Sequence, residues 1–204
     1  MFIGKWNKST ITTYIGLSLS IIGMFFATQH NLKITMICLM LAGICDLIDG
    51  TIARRCKRTE EEKLFGMQLD SLVDVISFLA FPIIILISMG GTNIFNILAY
   101  LAYSICGIAR LAYFNITSEE VAKEGKSIKY YMGLPVTFIA LILPLTTLFN
   151  ILITSYNITM QSIVLLIVAL LYILKIKVRK PTLKVYPIIF LIAIATIVAY
   201  VVIL

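Results

Sequence analysis

The sequence predicts an all-α integral membrane protein, a polytopic helical bundle of about seven transmembrane helices with its N-terminus in the cytoplasm. Three observations carry that prediction. Hydrophobic residues make up 60% of the 204 positions and charged residues 13%, with a mean hydropathy of +1.01. Soluble domains carry about a quarter charged residues, so a water-soluble globule is excluded. The apolar residues fall into seven runs long enough to cross a roughly 30 Å hydrocarbon layer as helices, the form that satisfies every backbone polar group internally. The basic residues, finally, crowd into alternate connections.

Run one, 11–28, follows Lys5 and Lys8. It lacks a small-residue cleavage pattern and continues into His30, Asn31 and Lys33, so it reads as a span and not as a leader. Run two, 34–53, ends at Arg54 and Arg55, and run three, 67–89, opens after a stretch mixing Lys57, Arg58 and Lys63 with Glu60, Glu61 and Glu62. Run four covers 93–114 and is separated by Lys123, Lys126 and Lys129 from run five, 132–153. Run six, 157–175, and run seven, 184–204, are joined through Lys175, Lys177, Arg179, Lys180 and Lys184. The other connections, near 29–33, 90–92 and 154–156, carry only Lys33 and His30. Positive charge stays on the cytoplasmic side of a bilayer, so the N-terminus is inside, the C-terminus outside, and the number of spans odd.

With no Pro, Ser or Gly-rich linker and no repeat of fixed period, residues 1–204 read as one domain. The net charge of +7 is accounted for by the cytoplasmic connections, so no nucleic-acid partner is expected. Cys38, Cys45, Cys56 and Cys106 stand singly, without the paired spacing of a zinc site, and read as reduced packing residues.

Four aspartates break the apolar pattern, Asp46 and Asp49 near the end of run two and Asp70 and Asp74 near the start of run three. Carboxylates beside hydrocarbon are costly to place and mark function. Residues three or four apart share a helix face, and the short connection makes the two spans antiparallel neighbours, so all four carboxylates meet near the cytoplasmic edge. With Arg54 at the interface, Asp46 lies about 12 Å deeper, at ~1.5 Å per residue. Four carboxylates in one small volume need a counter-charge. Oxygen-only ligands suit hard divalent ions such as Mg²⁺ or Mn²⁺, and a metal pair can hold the attacking and leaving oxygens of a displacement at phosphorus. The competing reading pairs the aspartates with Arg54, Arg55 and Arg110 as structural ion pairs. Gly50 and Ala53 leave room for a ligand to approach the backbone, and Arg54 offers a planar charged fork to a phosphate.

The string Asp46, two residues, Asp49, Gly50, two residues, Ala53, Arg54, then eleven residues to Gly66, then Asp70 and Asp74 resembles the signature of the CDP-alcohol phosphatidyltransferases. These integral membrane enzymes move a phosphatidyl group from a CDP-lipid onto an alcohol. The resemblance implies two divalent cations, Mg²⁺ or Mn²⁺, bridged by Asp46 and Asp70, with Asp49 completing one site and Asp74 the other. It makes Asp74 the catalytic base, and Gly50, Ala53, Arg54 and Gly66 the nucleotide-binding set. It also implies a homodimer in the cell membrane, surrounded by lipid, with the site at the cytoplasmic face. One departure is the eleven residues between Arg54 and Gly66, where about eight are expected; lengthening an exposed loop is thermodynamically mild.

Leu69 to Phe78 reads LDSLVDVISF, Cys106 to Asn115 reads CGIARLAYFN, and Met132 to Pro135 reads MGLP. Together these look like the branch that joins CDP-diacylglycerol to L-serine. Leu79, Ala80 and Phe81 before Pro82 replace that branch's small residues. Arg110, a charge within span four, and Asn115 are the candidates for binding the acceptor or the lipid phosphate. Glycerol phosphate or inositol phosphate as acceptor, and a cation transporter with its aspartates lining the path, are the alternatives.

Overall fold

Each apolar run becomes one helix. The computed structural model describes residues 4, 8–55, 58–123, 130–154, 157–179 and 186–204. In chain order these form α1 (Lys8–Thr28), α2 (Leu32–Arg55), α3 (Glu60–Ser88), α4 (Ile94–Lys123), α5 (Ile139–Thr154), α6 (Ile158–Ile173) and α7 (Tyr186–Ile203). Four are long and apolar enough to cross a membrane by length and composition: Thr10–Thr28, Glu60–Ser88, Ile94–Glu120 and Val136–Ile153. Ile158–Ile173 and Pro187–Ile203 are shorter apolar helices. The architecture is that of a polytopic helical membrane protein.

Helix ends depart from the apolar runs where polar capping outweighs hydropathy. α3 begins at Glu60, seven residues before its apolar run, because Thr59 and Glu62 form a capping box. The Glu62 N–H donates to Thr59 Oγ1 at 3.2 Å and the Thr59 N–H donates to Glu62 Oε2 at 2.8 Å. Glu60, Glu61 and Glu62 in the first turn also suit the positive end of the helix dipole. The acidic residues of this connection, Glu60, Glu61 and Glu62, are therefore the first turn of α3. α4 likewise continues to Lys123, past its apolar run.

The entrance to α5 is not helical from the start. Strand β1 (Tyr130–Met132) pairs antiparallel with β2 (Lys177–Arg179), Tyr131 opposite Val178, and a 3₁₀ turn (Val136–Phe138) leads into α5. Irregular backbone near a bilayer must find partners inside the protein. It does so: the Gly133 N–H donates to Ile176 O at 2.9 Å and the Leu134 N–H to Leu171 O at 3.0 Å. Gly133 has φ +74°, and a Cβ there would stand 2.5 Å from Tyr172 O, so both backbone sign and space require glycine.

Packing brings α1 flat against α2, and α3 against α1. α4 lies along α6, while α5 and α7 cover the other side of α2. Gly16 permits the α1–α2 approach, since a Cβ on it would be 3.3 Å from Cys45 Cβ. The core collects Leu39, Phe78, Phe81, Tyr103, Ile139 and Leu143, each at most 1% exposed. Phe78 belongs to a π-helical stretch, Val75–Ala80, in the middle of α3, in which the Phe81 N–H reaches back to Ile76 O. Such stretches insert one extra residue into a helix and re-aim the side chains on either side. Tyr103 of α4 donates to Phe78 O at 2.6 Å, Tyr172 of α6 donates to Val136 O at 3.2 Å, and the two hydroxyl oxygens are 3.2 Å apart.

Candidate metal centre

The π stretch begins one residue after Asp74, so the helix geometry changes where the second acidic pair ends. Asp46 and Asp49 from α2 and Asp70 and Asp74 from α3 line one cleft, floored by Ala42, Val73 and Phe78 and flanked by Thr13 of α1. Carboxylate oxygens of Asp46, Asp49 and Asp70, one from each, all lie within 4.8 Å of one another. Asp49 and Asp74 are 6% and 8% exposed, whereas Asp46 and Asp70 are half-buried and open toward the cleft. Asp74 feels the charges of Asp46, Asp49 and Asp70, so all four act on one another.

Two threonines outside the acidic string anchor it. Thr13 Oγ1 donates to Asp49 Oδ2 at 2.8 Å, and Thr137 Oγ1, in the 3₁₀ turn before α5, donates to Asp46 Oδ2 at 2.8 Å. One oxygen of each carboxylate is thereby fixed, and its rotamer with it. Opposite oxygens around a hard divalent cation stand about 4 to 5 Å apart, so the spacing of this all-oxygen set fits such an ion. Among the described residues it is the one cluster of metal-ligating side chains. Cys38, Cys45 and Cys106 are free, and Cys56 lies outside the described residues.

The remaining sequence candidates gather around this cluster to different degrees. Arg110, 7% exposed, has Cζ 5.0 Å above the Phe114 ring, and its charge reaches Asp46 and Asp74. Asn115 accepts from Ser71 Oγ at 2.9 Å, which ties α4 to α3 next to Asp70. Gly66 lies one turn before Asp70 on α3, and Gly50 follows Asp49 on α2, half-buried. Ala53 and Arg54 continue the α2 backbone, and their side chains lie outside the described residues. Thr13 and Thr137 are the partners of the aspartates that the acidic pattern does not announce.

Comparison with known proteins bears on the same residues. A family model described as CDP-alcohol phosphatidyltransferase matches residues 6–203. The chain is 40% identical over 109 residues, 51% of its length, to a CDP-diacylglycerol–serine O-phosphatidyltransferase of Saccharomyces cerevisiae, of which it covers 38%. It is 30% identical over 181 residues to a protein of the same name from Methanocaldococcus jannaschii, covering 89% of this chain and 79% of that one. An archaetidylserine synthase of Methanothermobacter thermautotrophicus is 31% identical over 140 residues, 64% of this chain and 57% of that protein. The chain thus spans about two fifths of the yeast relative and most of the methanogen relative. With the match running over nearly the whole bundle, and the acidic pairs, the intervening glycines and the cleft inside it, the chain belongs to the CDP-alcohol phosphatidyltransferase family.

Proposed function

We propose that the protein transfers a phosphatidyl group from CDP-diacylglycerol to the hydroxyl of L-serine, forming phosphatidylserine and releasing CMP. The observation that carries this is the convergence of Asp46, Asp49 and Asp70 oxygens within 4.8 Å, with Asp74 in the same cleft. Asp46 and Asp70 would be shared between two divalent cations, Mg²⁺ or Mn²⁺, with Asp49 and Asp74 each completing one site. When bound, that pair neutralises the diphosphate and polarises the reacting phosphorus.

The chain's own residues account for the rest of the reaction. Asp74 takes the serine hydroxyl proton. The freed oxygen bonds to the phosphorus bearing the diacylglycerol, the bond from that phosphorus to the bridging oxygen breaks, and CMP departs with the electron pair. Arg110, already under the influence of Asp46 and Asp74, binds the lipid phosphate or the serine carboxylate from the α4 side. Gly50, Ala53, Arg54 and Gly66 form the nucleotide side. Asn115, bonded to Ser71, keeps α4 in register with α3.

The serine acceptor is supported by the names of the relatives and by the MGLP and CGIARLAYFN segments. The protein works as a multi-pass homodimer of the cell membrane, the cleft opening on the cytoplasmic side where the basic connections lie. The test is direct: purified protein with CDP-diacylglycerol, Mn²⁺ and separate additions of L-serine, glycerol phosphate and inositol phosphate, followed by measurement of CMP. CMP release confined to serine is expected. Release with glycerol phosphate instead would move the acceptor assignment, and release with none of them would end the transferase reading.

A further inference from the structure

Two buried tyrosines that the mechanism above leaves unused stand between the two halves of the acidic cluster. Tyr103 of α4 and Tyr172 of α6 are both at most 2% exposed, with ring centroids 5.6 Å apart. On the α3 side, the amide that would serve Phe78 O at α-helical spacing belongs to Pro82, which has no N–H. The Tyr103 hydroxyl takes that place at 2.6 Å, inside the π stretch that starts next to Asp74. A hydroxyl has one hydrogen, so the Tyr103 oxygen is left as an acceptor. The Tyr172 hydrogen then has two acceptors at equal range, Tyr103 Oη and Val136 O, each 3.2 Å away. Val136 precedes Thr137, whose hydroxyl holds Asp46 Oδ2 at 2.8 Å.

A continuous path therefore runs from the helix segment behind Asp74, through two hydroxyls, to the turn that grips Asp46. Asp46 lies on α2 and Asp74 on α3, and carboxylates that repel one another cannot hold their own spacing. Buried hydrogen bonds that are fully paired can hold it, because they are strong and rigid in a medium of low dielectric. We propose that Tyr103 and Tyr172 are positioning residues of the metal centre: they brace the turn that carries Thr137 against the π stretch and so set the separation of the two acidic pairs. The assignment rests on the metal-centre reading above. It places the effect in the hydroxyls, whereas a packing role would need only the rings.

Tyr103→Phe and Tyr172→Phe keep the rings and remove the hydroxyls. Mn²⁺ binding to the purified protein in detergent is measured from the electron paramagnetic resonance signal of the free ion, beside CMP release from CDP-diacylglycerol and L-serine. Groups that orient a metal ligand carry about 10- to 100-fold in metal affinity, and the tyrosines act one bond further out. Each variant is therefore expected to raise the Mn²⁺ dissociation constant about tenfold, with kcat at saturating Mn²⁺ little changed. Tyr172→Phe combined with Thr137→Val binds no more weakly than Thr137→Val alone, because the Tyr172 hydroxyl acts through Thr137. Tyr200→Phe is the control: its buried hydroxyl donates to Pro144 O at 2.9 Å and ties α7 to α5, so its loss lowers the unfolding temperature and leaves Mn²⁺ affinity as in wild type. Unchanged Mn²⁺ affinity in either tyrosine variant overturns the proposal, as does an additive loss in the double variant or an equal loss in Tyr200→Phe. A Tyr172→Phe variant that fails to fold leaves Tyr103→Phe to decide the question from the other end of the path. Wild type that binds Mn²⁺ with this pattern of variants but releases no CMP with any alcohol sinks the transferase reading and keeps the tyrosine pair in place.

Discussion

Thr13 and Thr137 each hold one oxygen of a carboxylate at 2.8 Å, and they come from positions 36 and 91 residues away from the aspartates they serve. The aspartates are legible in the sequence because a charge inside an apolar run is anomalous by itself. The threonines are not, because threonine is unremarkable in a helix and the contact exists only once α1 and α5 have docked. Removing a hydroxyl that orients a metal ligand typically costs about 10- to 100-fold in metal affinity or activity. Thr137→Val is accordingly expected to raise the Mn²⁺ concentration needed for half-maximal CMP release by that order, with Thr137→Ser close to wild type. Equal metal dependence in both variants would separate Thr137 from the site. Asp70→Asn goes further: the amide is a poorer ligand for a hard cation, so CMP release is abolished while the unfolding temperature without metal holds or rises, because one carboxylate of a repelling cluster has been neutralised.

At the scale of elements, hydropathy places each helix and misjudges its ends. The capping box at Thr59 starts α3 early, and the β1–β2 ribbon with its 3₁₀ turn replaces the first residues assigned to the fifth span. Neither is visible to a hydropathy argument, since one depends on side-chain hydrogen bonds and the other on pairing between segments some 45 residues apart. The π stretch is equally hidden: VISFLA reads as ordinary helix, and its widened turn is matched by Tyr103, whose hydroxyl takes Phe78 O. Gly133 makes the ribbon testable. Gly90 and Gly133 both have positive φ, +94° and +74°, but a Cβ at 90 meets nothing within 4 Å, whereas at 133 it meets Tyr172 O. Gly90→Ala should cost only the backbone preference, about 1 to 2 kcal/mol. Gly133→Ala adds a steric clash and displaces the turn that carries Thr137, so it should unfold at lower temperature than Gly90→Ala and lose activity as well. Thermal unfolding of both variants in the same detergent, read beside CMP release, decides the point; equal effects would mean that the 133 turn relaxes freely.

The whole molecule is a bundle whose outer surface is apolar, with Ile94, Ile105, Leu191 and Val202 between 67% and 77% exposed, and whose buried carboxylates, Asp49 and Asp74, lie in one cleft. The number and order of its helices, and the meeting of α2 with α3, follow from the sequence alone because length, hydropathy and the two acidic pairs all point to one arrangement. How α1 and α5 close around that cleft does not follow, because small residues and hydroxyls direct it and these carry little weight in composition. The closure has a thermodynamic consequence. The four carboxylates come from two helices held together by donors on α1 and on the turn before α5, so an unfolded chain offers no comparable site and a divalent cation binds only the folded state. At about 100 times its dissociation constant such an ion stabilises by about 2.7 kcal/mol. For a chain near 200 residues that corresponds to an upward shift of roughly 5 to 10 °C in unfolding temperature. Purified protein in detergent should therefore unfold at higher temperature in Mn²⁺ than in chelator, and the shift should shrink in Thr137→Val and vanish in Asp70→Asn. A shift of equal size in wild type and Asp70→Asn would place the stabilising ion elsewhere on the molecule and detach the cleft from metal chemistry.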